Sequence, residues 1–435
     1  MLGPSASGGQ VPAATRVIRR PPRPLHGKSS AYVGAMAATL DFRSPEFIEN
    51  PYPTYALLRD EQPFWFEPHS RHVYISRYAD IKAVLLNERF ISDRTDERLG
   101  RLPAGTSSTC LRRVLHDRLM MTDGEEHRSV RRQVSWAFTA AQVRTYRDLV
   151  RASLAEAFDP IEWSGPVDVL RQIALPVPSR VILSILGFDE GDHDSLRLWT
   201  DEFYEWLASS PAPMTERTEH AVDGTGRMFE YVERQVRGGR ANADGSLLSA
   251  LIASEEAGAL TTEQVVANLI GIVNAAHETT SSLMLNGTVA LLRNPDVIED
   301  LLEHPDLIPA AVDEMARYDA PAQIISRLVG ETTVVGDIAC EPGTLLALVL
   351  ASGNRDERAY ADPDEFNIRR EGPVNLSYGH GSHFCVGTAL ARLEAIEYFT
   401  MMLPRLRGAR IINEPIPWRP TPAFRTPDEL VVQFA

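Results

Sequence analysis

The stretch Ser377-Tyr378-Gly379-His380-Gly381-Ser382-His383-Phe384-Cys385-Val386-Gly387 decides how this chain folds. Its glycines let the backbone turn tightly, with N–H groups free to point at a single sulfur. A helical periodicity follows directly over 386–406. A cysteine set just before a helix N-terminus is expected to have a lowered pKa and to favour the thiolate. From this chain's own residue counts, Gly-x-Gly-x-His-x-Cys-x-Gly arises by chance with a probability of roughly 2 × 10⁻⁵. Cys385 is therefore read as a ligand and not as an ordinary buried thiol.

The other two cysteines, Cys110 and Cys340, have no comparable surroundings and read as structural. Zinc and iron–sulfur centres want about four ligands, which one cysteine in this loop does not supply. A single thiolate does suffice as the axial ligand of a haem. Three cysteines in 435 residues also fall far below a disulfide scaffold and indicate a reducing, cytoplasmic setting.

Working outward, the 44 basic and 59 acidic residues give a formal charge of −15, which excludes nucleic acid as a bulk electrostatic partner. No run approaches the roughly 20 apolar residues of a membrane span. Residues 1–35 carry Arg16, Arg19, Arg20, Arg23 and Lys28 among Pro, Gly, Ser and Ala, with no acid before Asp41. That composition is expected to be a disordered leader or an over-extended start, with Met36 as the functional beginning. From 36 to 435 a single domain is expected, mainly helical with a small β region. Helical patterns cover 125–158, 195–208, 215–237, 262–293 and 386–406. Strands are expected at Val73–Ser76, Thr344–Leu350 and Leu430–Phe434.

The 262–293 segment opens with Thr261 and Gln264 in capping-box spacing and stops at Asn294-Pro295. Its apolar middle predicts a helix buried on most faces, into which the polar run His277-Glu278-Thr279-Thr280 is set. Such a threonine can bond back to the carbonyl four residues earlier, Ala275.

The cysteine loop resembles the haem-binding signature of the cytochrome P450 family. Three further stretches agree: Ala275-Ala276-His277-Glu278-Thr279-Thr280 with the mid-helix acid–threonine motif, Glu314-x-x-Arg317 with the Glu-x-x-Arg pair, and Asn354-Arg355-Asp356 with Asp362–Phe366 as the meander. The likeness spans about residue 41 to the end. Tyr378 stands where the family usually has Phe, and Ala276 where it usually has Gly. A hydroxyl at 378 could add a hydrogen bond near the sulfur, and a methyl at 276 could narrow the oxygen groove.

The resemblance implies a P450 fold with haem b between the central helix and the cysteine helix. Cys385 would ligate the iron, with Tyr378, Gly379, Gly387 and Ala275 around the macrocycle. His127, Arg131, Arg327 and His383 are the candidates for its propionates, which want cations or N–H donors. Glu278 and Thr279 would deliver the protons that O–O cleavage needs. Glu314, Arg317 and Arg355 would form a buried structural cluster. Gly271, Asn274, Gln323, Ile325, Ala423 and Phe424 are the candidate substrate wall, with the two amides suited to a polar substrate group or to bonds among themselves or with backbone.

The activity implied is a monooxygenase that activates O2 to hydroxylate or epoxidise a small organic molecule, in specialised metabolism or xenobiotic oxidation. Non-inserting oxidation on the same fold and non-catalytic haem binding remain the alternatives. Electrons derived from NAD(P)H would arrive through a ferredoxin and its reductase, since no Gly-x-Gly-x-x-Gly follows a strand. Arg128 and Arg132, at i, i+4, form a basic stripe suited to an acidic donor. A monomer is expected, with a substrate either free or tethered to a carrier protein.

Overall fold

A computed structural model describes residues 40–67, 72–100, 102, 103, 106, 108–207, 214–238 and 245–435. The leader at 1–35 lies outside the described residues. Helices dominate, and the longest is the central helix, Thr262–Arg293. Its bounds are those the capping box predicts. Thr261 accepts from the Gln264 N–H and the Gln264 side chain accepts from the Thr261 N–H. At 32 residues it runs about 48 Å, so it crosses the whole molecule.

Around it lies the main apolar core, which includes Val265, Val266, Leu269, Leu283, Leu285 and Leu291 from the helix itself. Gly287 lets the C-terminal helix Thr388–Leu406 and the helix Ile308–Tyr318 close on it together. A Cβ there would stand 2.6 Å from Phe399 Cζ and 2.7 Å from Met315 Sδ.

The strands, in chain order, are β1 Phe64–Glu67, β2 His72–Ile75, β3 Phe90–Ile91, β4 Pro166–Asp168, β5 Ile324–Val329, β6 Thr333–Val335, β7 Ile338–Cys340, β8 Leu345–Val349, β9 Arg410–Ile411 and β10 Val431–Gln433. Among the described residues they form a five-stranded sheet, β1-β2-β8-β5-β3, a three-stranded sheet, β4-β10-β9, and the β6-β7 hairpin. Among the described residues only the β2–β8 pairing is parallel, joining Val73 to Leu346. β8 is buried at every position, as its unbroken apolar run requires.

The expected 125–158 helix is three helices, Gly124–Ser135, Ala140–Thr145 and Arg147–Phe158. The break comes at Thr139, whose hydroxyl caps a new helix by accepting from the Gln142 N–H.

One structural assignment needs correction. Arg317 does grip Glu314 through both carboxylate oxygens, at 2.7 and 2.8 Å, and both are buried. Arg355 does not join them. Its guanidinium is clamped between the rings of Tyr52 and Tyr318, 3.6 and 3.9 Å from their centroids, and donates to the Tyr318 carbonyl and Asp364. Glu314's second cation is Arg370, at 3.1 Å.

Candidate active site

The loop before the C-terminal helix is shaped by backbone. Gly379 and Gly381 have φ of +70° and +74°, a conformation that strains any residue with a Cβ. A Cβ at Gly381 would also lie 2.6 Å from the Leu85 carbonyl oxygen. The Cys385 N–H donates to the Tyr378 carbonyl at 2.8 Å, closing the loop. Asn354 moors its entry, accepting from the Leu376 N–H and donating to Ser377 Oγ.

Cys385 is exposed, yet burial is the largest influence on its thiol and pushes the pKa up. The Thr388 hydroxyl, the N–H groups of Gly387 and Thr388 and the Arg131 charge pull the other way without prevailing. The expected low pKa is thus reversed, because desolvation outweighs the helix end. Tyr378 adds no hydrogen bond to the sulfur: its hydroxyl is buried without a partner.

The central helix carries an accessible stripe of its own. Between residues 265 and 291 only Gly271, Ile272, Ala275, Ala276 and Thr279 escape full burial. Their spacing, i, i+1, i+4, i+5 and i+8, makes one continuous stripe. Thr279 Oγ1 donates to the Ala275 carbonyl at 2.9 Å, within this stripe. Glu278, one residue back and turned about 100° around the axis, is buried and pairs with Arg419. Burial pushes its carboxyl up, opposed by Arg419 and His277. His277 Nε2 lies 3.1 Å from Asp201 on the helix His193–Leu207.

The four candidate propionate partners gather at the cysteine loop. His127 Nδ1 and Nε2 each lie 3.1 Å from a carbonyl oxygen, of Leu119 and Ser382. Its ring sits 3.9 Å from that of His383. His383 faces Asp123 at 3.4 Å. Arg131 donates to the Phe384 carbonyl at 2.6 Å. Arg327, on β5, is buried and donates to the Ser326 carbonyl, with no carboxylate pair among the described residues. Burial pushes its guanidinium down to about 10, with Asp123 the opposing charge.

A buried cation with no carboxylate pair among the described residues, an accessible thiol in a rigid loop and an accessible stripe on an otherwise buried helix together fit a flat ligand that bears carboxylates and a thiolate-seeking metal.

The candidate substrate residues divide. Gly271 and Ala275 lie on the stripe, and Asn274 is buried beside it. Ile325 packs on the core of the five-stranded sheet. Gln323 uses its amide on the Ala320 carbonyl at 2.6 Å, and its N–H on that of Ala423. With Phe424 it lines a small cleft against Phe47 and Tyr55, toward the N-terminal helices. Sequence reasoning did not find Asp123, Arg419 or Asp201. They lie 76 to 260 positions from the groups they serve, and no local pattern marks them.

The cytochrome P450 family model matches residues 61–410. The biotin biosynthesis cytochrome P450 of Bacillus subtilis (strain 168) is 30% identical over 398 residues, covering 90% of this chain and 98% of its own length. The monooxygenase PikC of Streptomyces venezuelae is 31% identical over 390 residues, covering 87% and 90%. Among solved structures, P450BioI in complex with hexadec-9Z-enoic acid ligated acyl carrier protein superposes with a TM-score of 0.82 at 27% identity, covering 90% of this chain and all of that one. The fold, the thiol loop and these likenesses converge: the chain belongs to the cytochrome P450 family, and it is a haem-thiolate monooxygenase that uses haem b, O2 and externally supplied electrons.

Proposed function

We propose that this enzyme inserts one oxygen atom into a C–H or C=C bond of a small organic molecule of specialised metabolism, with Cys385 as axial ligand. The observation that carries the assignment is the glycine-shaped loop that presents an accessible Cys385 just before the C-terminal helix, in a chain whose buried central helix keeps an accessible stripe from Gly271 to Thr279. Haem b bound at Cys385 supplies the activation of oxygen and the oxidation of the substrate.

The chain's own residues do the rest. Arg327, desolvated and with no carboxylate pair among the described residues, would hold a propionate, with His127, Arg131 and His383 as the further candidates. Thr279 presents its hydroxyl to the stripe, and its donated bond to Ala275 leaves the oxygen free to accept. Glu278 is placed to take up and pass on a proton at its carboxyl, which burial raises against the pull of Arg419 and His277. Arg419, itself about one-third exposed, connects that carboxyl toward solvent. The proton path therefore crosses the helix from the Glu278 side to the Thr279 side.

The helix Gly124–Ser135 lies beside the cysteine loop through Arg131, which supports reading its outer face as the docking surface for a ferredoxin. Arg128 is already tied to Glu125 at 2.8 Å, whereas exposed Arg132 has no ion-pair partner among the described residues, so Arg132 carries most of the attraction. The reading is of a cytoplasmic monomer with one domain over 36–435. Among the described residues no helix is long and apolar enough to cross a membrane. Likeness to a P450 solved with an acyl carrier protein supports carrier-tethered delivery as the second form of substrate.

The test is spectroscopic. Purified protein should bind one haem and give the thiolate-type band when reduced under carbon monoxide. Cys385→Ser should lose that band, and Cys110→Ala and Cys340→Ala should keep it. Retention in Cys385→Ser would refute the ligand assignment.

A further inference from the structure

Near its end the chain doubles back as a narrow hairpin that reaches the central helix at Glu278. The Arg419 N–H donates to the Thr426 carbonyl at 3.0 Å, the Asp428 N–H donates to the Pro417 carbonyl at 2.7 Å, and Trp418 faces Pro427 between them in an antiparallel bridge. Arg425 stacks on Trp418, its guanidinium carbon 3.6 Å from the ring centroid. About two turns beyond Glu278 the central helix grips the same hairpin again, where Asn286 donates to the Arg425 carbonyl at 2.9 Å. These bonds fix the hairpin backbone and with it the reach of the Arg419 side chain.

Arg419 serves two carboxylates along different edges of its planar fork. Its Nη1 meets Glu278 Oε1, and its Nε donates to Asp428 Oδ1 at 3.0 Å. The three side chains form a graded line from interior to surface, Glu278 being 8% exposed, Arg419 30% and Asp428 55%. One cation therefore answers a desolvated carboxyl and a solvated one together. The negative charge of Asp428 offsets part of the attraction that Arg419 exerts on Glu278.

Burial favours the protonated form of Glu278. Against it the charges that act are Arg419 and then His277, while Asp201 works with burial. His277 lies on the same helix and turns its Nε2 to Asp201 at 3.1 Å. The influences of His277 and Asp201 thus have opposite signs, which leaves Arg419 as the main counterweight to burial.

We propose that Arg419 is a positioning residue for proton delivery, holding the Glu278 carboxyl through Nη1 while Asp428 competes for it through Nε, so that the C-terminal hairpin sets the pH at which Glu278 exchanges its proton with solvent. The proposal rests on the relay reading of Glu278 and Thr279 and adds the group that controls it. A guanidinium keeps its own proton throughout. Arg419 therefore acts by charge and geometry, and the proton itself passes between Glu278 and water.

The experiment is an infrared pH titration of holoprotein that follows the protonated-carboxyl C=O stretch lost in Glu278→Gln. Arg419→Gln removes the charge that favours the carboxylate, so Glu278 should hold its proton about tenfold or more tightly and the midpoint should move to higher pH. Arg419→Lys should return it most of the way to wild type. Asp428→Asn leaves Arg419 to Glu278 alone, so the midpoint should move to lower pH, by a smaller amount. The opposite signs separate this role from a structural one, because a loosened hairpin would admit water to Glu278 and lower the midpoint in both variants. A midpoint that either substitution leaves unmoved, a shift of both in one direction, or the absence of any titrating band that Glu278→Gln removes overturns the proposal. If Arg419→Gln does not load haem, the exposed substitution Asp428→Asn decides the matter by the sign of its shift. Failure of the relay reading shows separately, as product per electron unchanged in Glu278→Gln.

Discussion

Glu394 stands on the C-terminal helix nine residues beyond Cys385, fully buried, with Oε2 lacking any hydrogen-bond partner. Burial pushes its carboxyl from 4.5 up to about 8. In the fold it therefore holds its proton at neutral pH, whereas in the unfolded chain it is ionised. Between these two values the folded state binds more protons, so stability must fall as pH rises. The contribution is intact below the unfolded value and is lost as pH climbs through about 8. For these two pKa values, going from about pH 5 to about pH 7 costs about 2.5 kcal/mol. For a domain of this size that is about 3 °C in melting temperature. Glu394→Gln is nearly isosteric and cannot ionise. Thermal melts of holoprotein by circular dichroism at both pH values should show a steeper decline for wild type than for the variant, by about that amount. Parallel pH dependences would refute the argument, whatever the absolute stability of the variant.

Glu314→Gln should cost about 3–5 kcal/mol because it leaves Arg317 and Arg370 buried without their counter-charge, read as a loss of soluble haem-loaded protein. Gly287→Ala forces a methyl onto Phe399 and Met315 and should cost about 1–3 kcal/mol in thermal melts, with the carbon monoxide spectrum unchanged. Thr279→Ala and Glu278→Gln should still bind haem, yet lower product formed per electron consumed, the proton step slowing by about 10²- to 10⁴-fold; unchanged coupling in both would sink the relay. Arg132→Ala should slow the first electron transfer from a ferredoxin more than Arg128→Ala does, and stopped-flow reduction at rising ionic strength should narrow the gap.

Much of this architecture is written locally, and the rest is tertiary. Thr261, Gln264 and Asn294-Pro295 delimit the central helix because capping and stopping are chemistry within four residues. Thr139 and Gln142 carry the same kind of signal, and the strong periodicity over 125–158 masks it. The loop at Cys385 is legible because its glycines answer a backbone demand. Its thiol's raised pKa is not legible, since desolvation depends on everything packed around the sulfur. Arg355 and Arg370 are both meander arginines, and nothing near either in sequence says which one reaches Glu314; the Tyr52 and Tyr318 rings decide it. Asn268 ties the central helix to the Asp117 carbonyl and the Leu119 N–H, 151 and 149 positions away, a contact that no local pattern marks.

Asp123 gives this arrangement an evolutionary consequence. One carboxylate receives the backbone N–H groups of Ser92 and Asp93, just after β3, and faces His383 inside the cysteine loop. The end of β3 and the loop that presents the sulfur thus share an anchor. Insertions or deletions between 92 and 123 would pull on that anchor and disturb the metal loop with it. Sequence change in this region is therefore channelled into exchanging side chains on a fixed frame. A library that exchanges exposed side chains between 92 and 123 while keeping Asp123 should yield many folded, pigmented proteins, and one that varies loop length there should yield few.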